Sequence, residues 1–150
     1  MKRVYDFLTT LANNNNREWF NAHKDEYLQA QEIFNGFVEK LIAAIGSWDE
    51  QILGSSLQVK DCTYRIYRDT RFSKNKEPYK THMGAYICRG GKKSPYAGYY
   101  FHIEPGYADG FLGGSLLAAG LYCPDNAVIQ SLRDEISVNG DSFLNAIAEA

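Results

Sequence analysis

Two short stretches, His82-Met83-Gly84-Ala85-Tyr86-Ile87-Cys88 and Tyr99-Tyr100-Phe101-His102-Ile103-Glu104, decide the fold. In each, two sets of side chains alternate with a period of two, as in a strand lying between a core and a second environment. Between them, Gly90-Gly91-Lys92-Lys93-Ser94-Pro95 has the composition of a turn, and Pro105-Gly106 ends the second run. The pattern predicts an antiparallel hairpin. Centring its turn near Lys93 pairs His82 with Glu104, Gly84 with His102 and Tyr86 with Tyr100. Those six residues then share one side of the sheet, because side chains alternate across a strand. Met83, Ala85, Ile87, Tyr99, Phe101 and Ile103 share the other, an apolar face suited to a core.

Upstream, Tyr64-Arg65-Ile66-Tyr67-Arg68-Asp69 alternates in the same way and reads as a further strand, and the polar run Arg71 to Pro78 reads as a loop. The N-terminal part has a helical period instead. Val4, Phe7, Leu8 and Leu11 predict a short amphipathic helix. The asparagines Asn13 to Asn16 stop it and cap a second helical region starting at Arg17. From Asp25 the apolar positions Tyr27, Ala30, Phe34, Phe37, Val38, Leu41, Ile42 and Ile45 keep a 3.6-residue period up to a capping Gly46. Downstream, Gly110 to Gly114 is turn-like and Leu116 to Tyr122 reads as another strand. Pro124 opens a helix with a stripe of Val128, Ile129, Leu132 and Ile136, and a last helix runs from Ser142 to Ala150 without a stop signal. The expected architecture is α+β: N-terminal helices packed on an antiparallel sheet of three or more strands, then C-terminal helices. A single domain over 1–150 is expected, C-terminally shortened relative to a longer protein.

Composition bounds the function classes. The 150 residues are 45% hydrophobic and 23% charged, ordinary for a globular domain, with no apolar run long enough to span a membrane. The N-terminus meets Asp6 at once, which argues against a secretory signal, so a cytoplasmic location and no membrane partner are expected. Cys62, Cys88 and Cys123 are odd in number and widely spaced, so reduced, buried thiols are expected. The net charge of −2 conceals a segregation: ten basic and three acidic residues lie between Lys60 and Lys93, and the rest of the chain is acidic. Such a field favours anionic partners, unless the two regions neutralise each other across the fold.

The densest polar constellation is Arg65 to Lys74 with Pro78-Tyr79-Lys80-Thr81-His82. Guanidinium forks match phosphate and carboxylate oxygens, and lysine adds a mobile charge. Binding of a small anionic or phosphate-bearing ligand is therefore expected at Arg65, Arg68, Arg71, Lys80 and His82. Tyr86, His102 and Glu104 would wall the site, and Asp69 would orient an arginine. Two alternatives stay open. The basic, tyrosine-rich segment 60–93 also suits single-stranded nucleic acid. A hydrolase or transferase acting on an anion would use His82 or His102 as acid/base, with Glu104 orienting the imidazole. No cofactor is expected, since Lys92-Lys93 sits in a hairpin and lacks the glycine spacing of a phosphate loop. The positions of His23, His82 and His102 along the chain predict no metal centre. The pattern carries no information on oligomeric state.

Asn14-Asn15-Asn16-Arg17-Glu18-Trp19-Phe20 with His23-Lys24 and Tyr27, then Tyr64 to Lys74, Pro78 to His82, Gly98 to His102 and Glu104-Pro105-Gly106, resemble domain-of-unknown-function family 2461 over essentially the whole chain. Gly113-Gly114-Ser115 departs from that family's pattern. The resemblance implies a cytosolic, bacterial-type protein and supplies no activity, substrate or cofactor. It also implies that Arg17 and His23 belong with the basic segment, on a helix turned toward the sheet, while Trp19 and Phe20 staple that helix to the core.

Overall fold

The first helix, α1 (Lys2–Asn13), buries Val4, Phe7, Leu8 and Leu11, the stripe its spacing predicts. The asparagine tract then divides its labour. The Asn14 amide bonds back to Leu11 at the end of α1, and the Asn16 side chain accepts from the Trp19 amide to start α2 (Arg17–Ala22). His23 separates α2 from α3 (Lys24–Gly46), which buries Tyr27, Ala30, Phe34, Val38 and Ile45. Gly46 is the last helical residue and Ser47 the cap, one position later than the glycine signal suggests. Two one-turn helices that the periodicity did not disclose follow, α4 (Glu50–Leu53) and α5 (Val59–Cys62). Four residues are too few to display a period, which is why they were invisible.

The computed structural model describes residues 1–106 and 113–148. Strands β1 (Met83–Ile87), β2 (Gly98–Ile103) and β3 (Leu116–Gly120) form one antiparallel sheet in the order β1-β2-β3, so the fold is α+β. Gly84 pairs with His102 and Tyr86 with Tyr100, the register the turn predicts. Gly90 and Gly91 take φ of +87° and +81° in that turn, a left-handed pair only glycine adopts freely. Gly98 opens β2 because a Cβ there would collide with Cys88 and the Ile87 carbonyl. Met83, Ala85, Ile87 and Ile103 join the helical residues in the core, with Tyr99 and Phe101 packed against it.

The Tyr64–Asp69 stretch is not a regular strand. It runs beside β1 through an isolated bridge at Thr63 to Ala85, then folds back on itself through a second from Tyr67 to Tyr79. Residues 71–78 intervene as the loop the sequence predicts.

The chain divides into two compact units, Met1–Gly120 and Leu121–Ala150. The second holds α6 (Asn126–Val138), capped by Asp125, and α7 (Gly140–Ala148). The helix thus starts after Asp125, because that carboxylate takes the Val128 amide and fixes the cap. Neither helix has a buried residue, so the expected buried stripe of Val128, Ile129, Leu132 and Ile136 is not realised among the described residues. Cys62 and Cys88 are buried free thiols, whereas Cys123 is exposed, contrary to the expectation for all three. Most of the predicted Gly110–Gly114 turn, and the end of the final helix, lie outside the described residues. No described helix is long and apolar enough to cross a membrane.

Candidate functional site

Strand pairing alone assembles the polar face. His102 lies on β2 and Glu104 directly follows that strand, two residues on and to the same side, while His82 directly precedes β1, so extending the Met83–Ile103 pairing by one residue sets it opposite Glu104. His102 and Glu104 are buried, with 0% and 1% exposure, and His82 is largely enclosed. The His102 Nε2 lies 3.2 Å from Glu104 Oε2, and His82 Nδ1 lies 4.0 Å from Oε1 of the same carboxylate. The two imidazoles stack with centroids 4.5 Å apart. On the far side of His102, the Tyr100 hydroxyl is 2.7 Å from Nδ1. Gly84 makes this possible. A Cβ at that position would meet the Tyr100 hydroxyl at 2.9 Å, so the ring occupies the space a side chain would take.

Burial lowers the His102 pKa, although the Glu104 carboxylate acts in the opposite sense. His82 is pushed down to about 4 by burial, reinforced by His102, Lys80 and Arg68 and opposed by Glu104. Both rings are therefore held toward the neutral form near pH 7, in which one nitrogen of each carries a lone pair in place of a proton. One ligand-type atom from each of His82, His102 and Glu104 lies within 4.8 Å of the others.

A cationic group stands beside this cluster. The Arg68 amide donates to Pro78 and the Lys80 amide to Ile66, which ties the two segments together. Lys80 is partly buried, and its Nζ lies 5.5 Å from the Tyr64 ring centroid. Burial lowers its pKa, and the like charges of Arg65 and Arg68 lower it further, which places all three cations within electrostatic reach of one another. Arg68 also lies 3.5 Å from Glu77. The loop residues go elsewhere. Asp69 holds Arg71 through a two-point pair of 2.9 and 2.6 Å, both side chains exposed, and this guanidinium keeps the Asp69 carboxyl below its usual range. Tyr86 is buried, and its hydroxyl donates to the Tyr96 carbonyl at 2.9 Å and to that of Gly120 at 3.0 Å.

Several residues named from sequence for other reasons make contacts here that the sequence does not signal. The Asn15 amide donates to the Tyr79 carbonyl at 3.0 Å and accepts from the Tyr79 amide at 3.1 Å, and Phe20 stacks on Tyr79 at 3.9 Å. The asparagine tract thus positions the residue next to Lys80. Ser115 meets the backbone of Glu104 through both its amide and its carbonyl. His23 serves the α2–α3 junction, with Nδ1 2.8 Å from the Trp19 carbonyl and its ring stacked on Trp19.

These residues lie within a single sequence family. A family model described as "Conserved hypothetical protein (DUF2461)" matches residues 3–150. The chain belongs to the DUF2461 family. No curated protein and no solved structure matches it. The DUF2461 assignment covers the N-terminal helices and the polar sheet face together, and it leaves the chemistry to be read from the site.

Proposed function

We propose that this DUF2461 protein recognises a small anionic or phosphate-bearing ligand at Arg65, Arg68 and Lys80, beside His82. The observation that carries the reading is the gathering of these like charges around a partly buried lysine, an unfavourable arrangement that Glu77 offsets at Arg68 and that a bound anion would relieve further. The backbone bonds of Arg68 to Pro78 and of Lys80 to Ile66 fix the main chain from which two of these cations project, which reduces the ordering that binding must supply. Thermal-shift screening at low salt against inorganic phosphate, nucleotides, sugar phosphates and acidic metabolites tests it. A ligand at a hundred times its Kd adds about 2.7 kcal/mol of stability. Arg68→Ala and Lys80→Ala should abolish that increment. Absence of any stabiliser, or a shift that survives both substitutions, defeats the reading.

A second reading rests on a different surface. Phe72 is 95% exposed in a loop with Arg71, Lys74 and Lys76, and Tyr67 and Tyr64 are exposed nearby in sequence. Exposed rings among cations suit stacking on single-stranded nucleic acid. Salt-sensitive retention on an oligonucleotide that Phe72→Ala weakens would favour it over the small-ligand reading.

A further inference from the structure

We propose that His82, His102 and Glu104 form a binding site for one divalent first-row transition-metal ion, with Tyr100 orienting His102 from behind. The inference goes beyond the anion reading and rests on other atoms. Both imidazoles turn a ring nitrogen toward the same carboxylate, at 3.2 and 4.0 Å. An ion bonded to imidazole and carboxylate at about 2.0–2.2 Å holds neighbouring donors roughly 3.0–3.5 Å apart. The first separation already meets that geometry. The 4.8 Å limit on the whole trio closes by a modest rotation of His82, the least enclosed of the three. Two imidazoles and one carboxylate suit zinc or ferrous iron and not magnesium or calcium, whose shells are built of oxygen. Three protein donors also leave coordination positions open to an exogenous ligand.

The surroundings fit a ligand role for His102 in particular. Metal-bound histidines ordinarily have their second ring nitrogen fixed by a hydrogen bond, which sets tautomer and ring orientation. Here the Tyr100 hydroxyl does so at 2.7 Å, and Gly84 provides the space for that ring. Arg68 and Lys80 act against an incoming cation at His82. Their removal should therefore leave metal affinity unchanged or raise it, while weakening an anion bound in the open positions.

The test uses the whole chain with Cys123→Ser, which removes the exposed thiol as a competing ligand. Equilibrium dialysis against Zn2+ and visible absorption of the Co2+ form should both give one equivalent per chain. His82→Ala and His102→Ala should each remove that equivalent, and Tyr100→Phe should weaken it by roughly tenfold to a hundredfold. If His102→Ala does not fold, His82→Ala decides, since His82 is partly exposed. No retained ion in the parent protein, or full binding in His82→Ala, overturns the proposal. Arg68→Ala separates the two readings: metal retained with anion stabilisation lost supports both. Metal retained without any anion effect in the parent overturns only the anion reading.

Discussion

On one side of the β1–β2 ribbon, Met83, Ala85, Ile87 and Ile103 are buried among helical side chains; on the other, His102 and Glu104 are buried just as completely. The depth is equal and the physics is opposite. Apolar burial is favourable in itself, about 25 cal/mol for each Å² removed from water. Burial of an imidazole and a carboxylate is unfavourable unless hydrogen bonds replace the lost water, and even then the net gain is small. The polar face is thus organised around a specific arrangement of donors and acceptors, whereas the apolar face needs only volume and shape. Substitutions should separate the two. Phe34→Ala, within the core and against Phe101, should cost about 3–5 kcal/mol by denaturant titration. Because Phe34 packs on the apolar side of the sheet, against Phe101, it should leave ligand or metal affinity of the folded fraction intact. Loss of affinity in proportion to stability would show that the faces are not independent.

Gly84→Ala attacks the polar side by geometry instead of charge. The added methyl overlaps the Tyr100 hydroxyl at 2.9 Å, so the ring must leave its position against His102. A cost of about 1–3 kcal/mol is expected for overpacking and a disturbed buried hydrogen bond. The histidine resonances should shift in NMR spectra, while Gly36→Ala, where the space is open, should not move them. Equal spectra for both variants would remove Tyr100 from the network. Tyr86→Phe should have a smaller effect, about 1 kcal/mol, since the ring stays and only its hydroxyl contact to the Tyr96 and Gly120 carbonyls is lost.

The unequal legibility of these features has physical causes. The hairpin register was readable because alternation has a fixed period and the turn sets the pairing, so His82, His102 and Glu104 were placed on one face from sequence alone. Their metal-ligand geometry was not, because donors joined by strand pairing carry no characteristic spacing along the chain. Asn15 was legible as a helix breaker but not as a clamp on Tyr79, a contact across 64 positions that local patterns do not encode. The Tyr64–Asp69 stretch alternates like a strand, yet only bridges form, since its backbone donates to a returning segment at Pro78 as well as lying along β1. Tertiary pairing overrode the local pattern there.

The smallest effect is expected where polarity is greatest. Arg71 and Asp69 form the shortest ion pair of the site region, but both are exposed, and solvent and salt screen such pairs almost completely. Arg71→Ala should therefore leave the melting temperature unchanged at physiological ionic strength. It should also leave anion-induced stabilisation intact, because its guanidinium is already committed to Asp69, whereas Arg68 acts on Lys80 and His82. Comparing Arg71→Ala with Arg68→Ala in one thermal-shift series measures how far the binding surface extends into the loop. An equal loss in both variants would move its centre from the sheet margin to the exposed loop, where Phe72 and the nucleic-acid reading lie.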